Sequence, residues 1–186
     1  DELEVKVIDI LGNGMLTKKV IKKGLGESSK PLAGDIVTIR CEGKLDNGTV
    51  VDKLSSFQLI LADEDVITAL DLSIALMENK EIAIVDTDGR YAYGGIGRLD
   101  YVPPIPPNAH IVYEVEILSV EKGKDVAQLT VKEMLLYSDL KRARGNDLHT
   151  RGDFSGSINA YKRGLKYLTH SMDPAIIDMK IKCLNN

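Results

Sequence analysis

The stretch IVTIRCEGKLDNGTVVD, residues 36–52, decides the fold. Val37, Ile39, Cys41 and Leu45 face one side of an extended chain, while Thr38, Arg40, Glu42 and Lys44 face the other, the period-two signature of a half-buried strand. Asp46-Asn47-Gly48 then supplies the left-handed conformations that a tight hairpin turn needs, and TVVD returns as the partner strand. Phe57, Leu59 and Leu61 continue the alternation. Helical spacing takes over in DVITALDLSIALM, 65–77, with Val66, Ala69, Leu70, Ser73, Ile74 and Met77 on one face. Strands resume at EIAIVD, 81–86, and HIVYEVEILSV, 110–120, the latter with Ile111, Tyr113, Val115 and Ile117 inward. The expectation is an α+β domain over residues 15–122, an antiparallel twisted β-sheet wrapped over one short helix, behind an N-terminal extension of residues 1–14.

From about residue 123 the pattern is helical only. Thr130 with Glu133 makes a capping box that opens a run to about His149, Arg151-Gly152-Asp153 makes a turn, and FSGSINAYKRGLKYL makes a second helix. Asp173-Pro174 starts a third, with proline in the first turn where its missing N–H costs nothing. Residues 145–146 (GN), 152–154 (GDF), Tyr161 and the pair Gly164-Leu165 resemble one tetratricopeptide repeat, with Ser157 and Gly164 small enough for close helix approach. That resemblance implies a first repeat and the start of a second within 123–186, an array cut short.

Composition narrows the function. The 186 residues are 44% hydrophobic with a net charge of -4, which fits one or two soluble domains. The clusters KKVIKK, 18–23, and KRAR, 141–144, read as solvated faces, so nucleic acid is not the expected partner. Cys41 and Cys183 lie far apart in unlike contexts, so neither a zinc site nor a disulfide framework is indicated and a reducing compartment fits. No apolar run reaches the roughly 18 residues of a membrane span. The opening DELEVKV is acidic where a signal peptide is basic, so an untargeted chain is expected.

Ordinary catalytic arrangements are missing from the pattern. His110, His149 and His170 have no carboxylate or serine partner at useful spacing and read as surface residues. GGIG, 94–97, lacks the third glycine and the strand-helix context of a dinucleotide site and reads as a flexible loop. No metal, cofactor or calcium loop is expected. One reaction needs none of these. Rotation about an X-Pro amide faces a barrier of about 18–20 kcal/mol because of resonance, and no covalent bond breaks. The twisted transition state is less dipolar than the planar amide, so an apolar pocket that excludes water lowers the barrier, each factor of ten requiring about 1.4 kcal/mol.

Over residues 15–121 the sequence resembles the FKBP-type peptidyl-prolyl isomerases, through DNGTVVD, FQLIL, EDVITALD, RYAYG, the proline-rich loop ending IPPNA, and IVYEVEIL. LDLSIALM and CLNN are similar to the membrane-anchored branch with tetratricopeptide repeats found on mitochondria and endoplasmic reticulum. The resemblance implies a pocket with Asp52 as the polar group, Phe57, Val66, Ile67 and Tyr113 as walls, and Leu70 as floor. It implies that Tyr93 donates its hydroxyl to a bound peptide carbonyl, as does the backbone N–H of Ile67. A flap, 94–107, would offer Tyr101, Val102 and Ile105 as contact surface. Read without the family, Phe57, Val66 and Tyr113 are core packing, and Asp52 is either a site carboxylate or a turn group.

Three departures lower the expected turnover. Leu70 stands where the active members carry tryptophan, Val51 and Cys41 stand where aromatics are expected, and the loop has both VPP and IPP. Two functions are therefore expected, a weak prolyl isomerase and a non-catalytic scaffold. The resemblance implies as partners proline-containing peptides, macrocyclic immunosuppressants bound weakly, regulators of cell death, and the C-terminal carboxylate of heat-shock chaperones held by Arg142, Asn146 and Asn186. It also implies a cytoplasm-facing location through an anchor outside these residues.

Overall fold

The computed structural model describes residues 7–168 and 172–185. It divides between Gly123 and Lys124 into two compact units. The first unit contains β1 (Val7–Asp9), β2 (Leu16–Lys22), β3 (Ile36–Leu45), β4 (Val50–Ile60), α1 (Thr68–Ile74), β5 (Ile82–Thr87) and β6 (Ile111–Glu121). The strands form one antiparallel sheet in the order β1-β2-β5-β6-β3-β4. One face shares a core with α1, in which Leu16, Val37, Ile39, Ile74, Val85, Val115 and Ile117 are fully buried.

The hairpin between β3 and β4 uses less left-handed backbone than its sequence suggests. Gly48 alone of the three turn residues has a positive φ, at 83°. Asn47 instead accepts from the Thr49 N–H through its side chain at 3.0 Å, the Asx device that makes it a turn residue. Just beyond, the pairing slips from Gly43–Asp52 to Lys44–Val50, so Val51 is a bulge residue. A bulge breaks the strict alternation, and Val51 and Asp52 both turn toward the core side.

The helix α1 is shorter than the 65–77 pattern. Ile67 is extended, and Leu76 and Met77 close tight three-residue turns on Ser73 and Ile74. Asp65 accepts from the Ile60 N–H at 2.8 Å and Asp71 from the Ala62 N–H at 3.0 Å, so the acidic residues before and inside the helix tie down the chain entering it.

Two features of the N-terminal region differ from the sequence reading. Part of the expected extension is β1, an edge strand on β2, and Asp9 accepts from the N–H groups of Leu11, Gly12 and Gly14 in the connecting turn. KKVIKK is not wholly solvated. Lys18 is 2% exposed and pairs with Glu81, 3% exposed, at 2.7 Å. Its ammonium also donates to the Leu76 carbonyl at 2.8 Å, closing the end of α1.

The second unit holds three helices, α2 (Val131–Thr150), α3 (Phe154–Tyr167) and α4 (Pro174–Leu184). The Thr130–Glu133 capping box is formed in both directions, and Asp153 and Asp173 cap α3 and α4. α2 and α3 pack closely because of glycine. A Cβ on Gly145 would lie 2.3 Å from the Tyr161 ring, and one on Gly164 would lie 3.2 Å from the Ser138 carbonyl. Within KRAR, Lys141 is 1% exposed, contrary to the solvated reading, because it lies on the packed side of α2. Among the described residues no helix is long and apolar enough to cross a membrane.

Candidate functional site

The centre of the first unit's site is one carboxylate oxygen. Tyr93 donates its hydroxyl to Asp52 Oδ2 at 2.5 Å, and Tyr113 donates to the same atom at 2.7 Å. The sheet register explains how Tyr113 gets there. Gly43 in β3 stands between Asp52 of β4 and Tyr113 of β6, paired with each. The Tyr113 ring lies across that gap, where a Cβ on Gly43 would be 2.5 Å from Cε1. A glycine inside a strand is otherwise a cost, and here it makes the passage for the ring.

Burial shapes the electrostatics. Tyr113 is fully buried and Tyr93 is 9% exposed, and both phenols are held well above their ordinary range, first by burial and then by neighbouring acidic groups that include Asp52. Both therefore stay protonated and donate to Asp52. The neighbouring Cys41 thiol is pushed up to about 12, mainly by burial and next by the Asp52 charge, so it is a packed apolar group. Around this cluster Val51, Val66, Ile67 and Leu70 are buried in the common core and Phe57 is partly buried against it.

Tyr93, expected to donate to a bound peptide carbonyl, has a protein acceptor here. Its hydroxyl is committed to Asp52, so a peptide carbonyl must displace that bond to receive it.

The flap is also more ordered than its glycines and prolines suggest. Arg98 and Ile105 exchange two backbone hydrogen bonds, at 2.9 and 3.0 Å, which makes 98–105 a small hairpin. Arg98 grips Asp100 through Nε and a terminal nitrogen, both at 3.0 Å, and its guanidinium stacks on the Tyr101 ring at 3.7 Å. Gly97, with φ 67°, has the Ile105 carbonyl 2.4 Å from where a Cβ would sit. Ile105 is fully buried and offers no contact surface, because it anchors the hairpin to the core. Val102 at the tip is 99% exposed. A cleft of about 390 Å³ runs between Val50–Leu54 and Tyr101–Pro103, bringing together Val51, Asp52, Tyr101 and Val102. Gly43 and Arg98 were not singled out in the sequence. A glycine within an alternating strand is a signal for the first, while nothing local marks the second.

One histidine also departs from expectation. His110, at the entry to β6, places Nδ1 2.6 Å from Asp46 and Nε2 2.8 Å from Asp86. Those hydrogen bonds, Asp86 first and Asp46 second, raise its pKa above the ordinary value. A raised folded value means that the stabilisation is complete below the unfolded pKa of about 6.5 and is lost as pH rises through the folded one. The domain is therefore expected to lose stability as His110 deprotonates. An NMR titration of the His110 ring should give a midpoint above 6.5 that falls in Asp86→Asn; a midpoint unmoved by that change would contradict the assignment.

In the second unit, Arg142 is bound to Asp139 through two nitrogens at 3.0 and 2.8 Å, and Asn146 accepts from the Tyr161 hydroxyl at 2.7 Å. Asn146 thereby ties α2 to α3, whereas the Arg142–Asp139 pair lies within one turn of α2. Asn186 and His170 lie outside the described residues.

Comparison with known proteins identifies the first unit. The fold is FKBP-like: the three FKBP domains of wheat FKBP73 match with a TM-score of 0.58 and 30% identity over 62% of this chain and 48% of theirs. Residues 27–118 match the family model for FKBP-type peptidyl-prolyl cis-trans isomerase, and they form a domain of that family. FK506-binding protein 59 of Drosophila melanogaster is 32% identical over 159 residues, 81% of this chain and 35% of its own length. Human peptidyl-prolyl cis-trans isomerase FKBP4 is 27% identical over 159 residues, 85% of this chain and 34% of its own. The chain thus spans about a third of the length of these relatives. A multi-domain immunophilin from Arabidopsis thaliana covers the whole chain at 20% identity with a TM-score of 0.56, and shares its fold.

Proposed function

We propose that the first unit is a prolyl isomerase of low turnover that acts on X-Pro bonds with an apolar X. The observation that carries this is the single Asp52 oxygen holding two buried hydroxyls beside the apolar core, at the cleft between Val50–Leu54 and Tyr101–Pro103. Desolvation by the walls and orientation of the peptide by polar groups at that edge are the two means available for a reaction without bond cleavage. Leu70 in place of a broad aromatic floor, and a Tyr93 hydroxyl already committed, both favour slow turnover. The same two features favour a second reading, in which the site holds proline segments without isomerising them.

The second unit is proposed as a tetratricopeptide-type repeat that engages protein partners, supported by the Gly145–Tyr161 and Gly164–Ser138 close approaches. Chaperone C-termini, regulators of cell death and a site on mitochondrial or reticulum membrane remain proposals that rest on the resemblance alone.

Exchange NMR of Leu-Pro and Phe-Pro peptides tests the isomerase reading. The parent should speed cis/trans exchange, Asp52→Ala should return it to the uncatalysed rate, and Leu70→Trp should raise it about tenfold, the equivalent of about 1.4 kcal/mol of added aromatic contact. Parent and Leu70→Trp both at the uncatalysed rate would sink turnover and leave the binding reading.

A further inference from the structure

We infer that Tyr113 is the fixed donor that allows Tyr93 to be handed over to a bound peptide. The inference rests on the prolyl-peptide reading of this site and assigns a role that the core position of Tyr113 does not suggest.

The two hydroxyls meet one oxygen from unlike supports. Tyr113 belongs to β6, where its backbone is paired on one side with Gly43 and on the other with Val85. Its ring is fully buried and fills the space that Gly43 leaves open. It has nowhere to go. Tyr93 belongs to irregular backbone between the short turn Gly89–Tyr91 and the flap, followed by Gly94 with φ 59°. Its ring borders the flap edge-on to Tyr101, with centroids 6.4 Å apart, and retains some exposure. Of the two donors, only Tyr93 can turn its hydroxyl toward a ligand.

The energetics then depend on what Asp52 keeps. A carboxylate oxygen has lone pairs for two phenols, and removing one donor while the other stays is a modest loss. Removing both from a partly buried carboxylate is much more costly. With Tyr113 in place, a peptide carbonyl competes for Tyr93 against a carboxylate that is already satisfied in part. Without Tyr113, Asp52 holds Tyr93 more firmly and the transfer is opposed. Tyr113 is thus a positioning residue that acts through Asp52 and Tyr93, with no contact to the peptide required.

A mutant cycle separates this from simple packing. A Leu-Pro tetrapeptide is titrated into the full chain and into Tyr93→Phe, Tyr113→Phe and the double variant, with binding read from backbone amide shifts and folding from the same spectra. Tyr113→Phe should weaken binding about tenfold while the spectrum remains that of a folded domain. Tyr93→Phe should weaken it comparably. The double variant should bind no worse than Tyr93→Phe, because with no hydroxyl to hand over the second donor has nothing to enable. Losses that multiply in the double variant, or a Tyr113→Phe chain that binds like the parent, would overturn the inference while leaving the binding reading intact. A parent chain whose amides do not move at all removes the prolyl-peptide reading, and the inference with it.

Discussion

Replacing Glu81 by alanine is expected to lower the stability of the first unit by about 3–5 kcal/mol, the cost of leaving a buried charge without its partner. Lys18 and Glu81 are 2% and 3% exposed, so neither can recover its hydration when the other is removed. The pair is also built into the backbone: Lys18 donates to the Leu76 carbonyl at 2.8 Å, and Glu81 accepts from the Glu78 N–H at 2.9 Å. Loss of the carboxylate therefore loosens the exit from α1 as well. Urea denaturation of Glu81→Ala against the parent measures the effect. The double change Lys18→Met with Glu81→Leu should recover most of the loss, because apolar groups of similar volume remove the desolvation cost on both sides. A single variant that costs less than about 1 kcal/mol would show that the pair is hydrated in solution.

The second large effect is expected at Gly43. Gly43→Ala puts a methyl group 2.5 Å from Tyr113 Cε1, and the ring, fully buried under β3, has no free space to retreat into. Overpacking of this kind costs about 1–3 kcal/mol, and displacing the ring breaks the 2.7 Å bond to Asp52, which adds about 1 kcal/mol or more. Both stability and peptide binding should fall together. The same substitution in a Tyr113→Leu background should cost little, since the ring that it strikes is gone. If Gly43→Ala remains as costly there, the clash lies with the strand backbone, and the account of how Tyr113 reaches Asp52 fails.

Most of the first unit was legible because its elements are local. Alternation in 36–45 and 110–120, a turn built on Gly48 and a run with helical spacing each declare themselves within a dozen residues. β1 was not legible, because three residues, VID, carry no periodicity of their own and become a strand only against β2. In the second unit the caps at Thr130, Asp153 and Asp173 were readable for the same local reason, whereas the burial of Lys141 was not.

The site divides along the same line. Sequence by itself determined which residue types were available: an aspartate after a strand, tyrosines before a proline-rich loop, apolar walls at regular spacing. It could not say that Asp52 and Tyr113, 61 residues apart, share a hydrogen bond across a glycine, or that Ile105 faces the core while Val102 faces water. It also could not say that His110 lies between two aspartates or that Lys18 is buried against Glu81. The physical reason is common to all of these. Periodicity reports which face of an element is apolar, but a charge or hydroxyl becomes buried, paired or available only when sheet register and strand order bring a distant partner to it, and those are set by the packing of the whole domain.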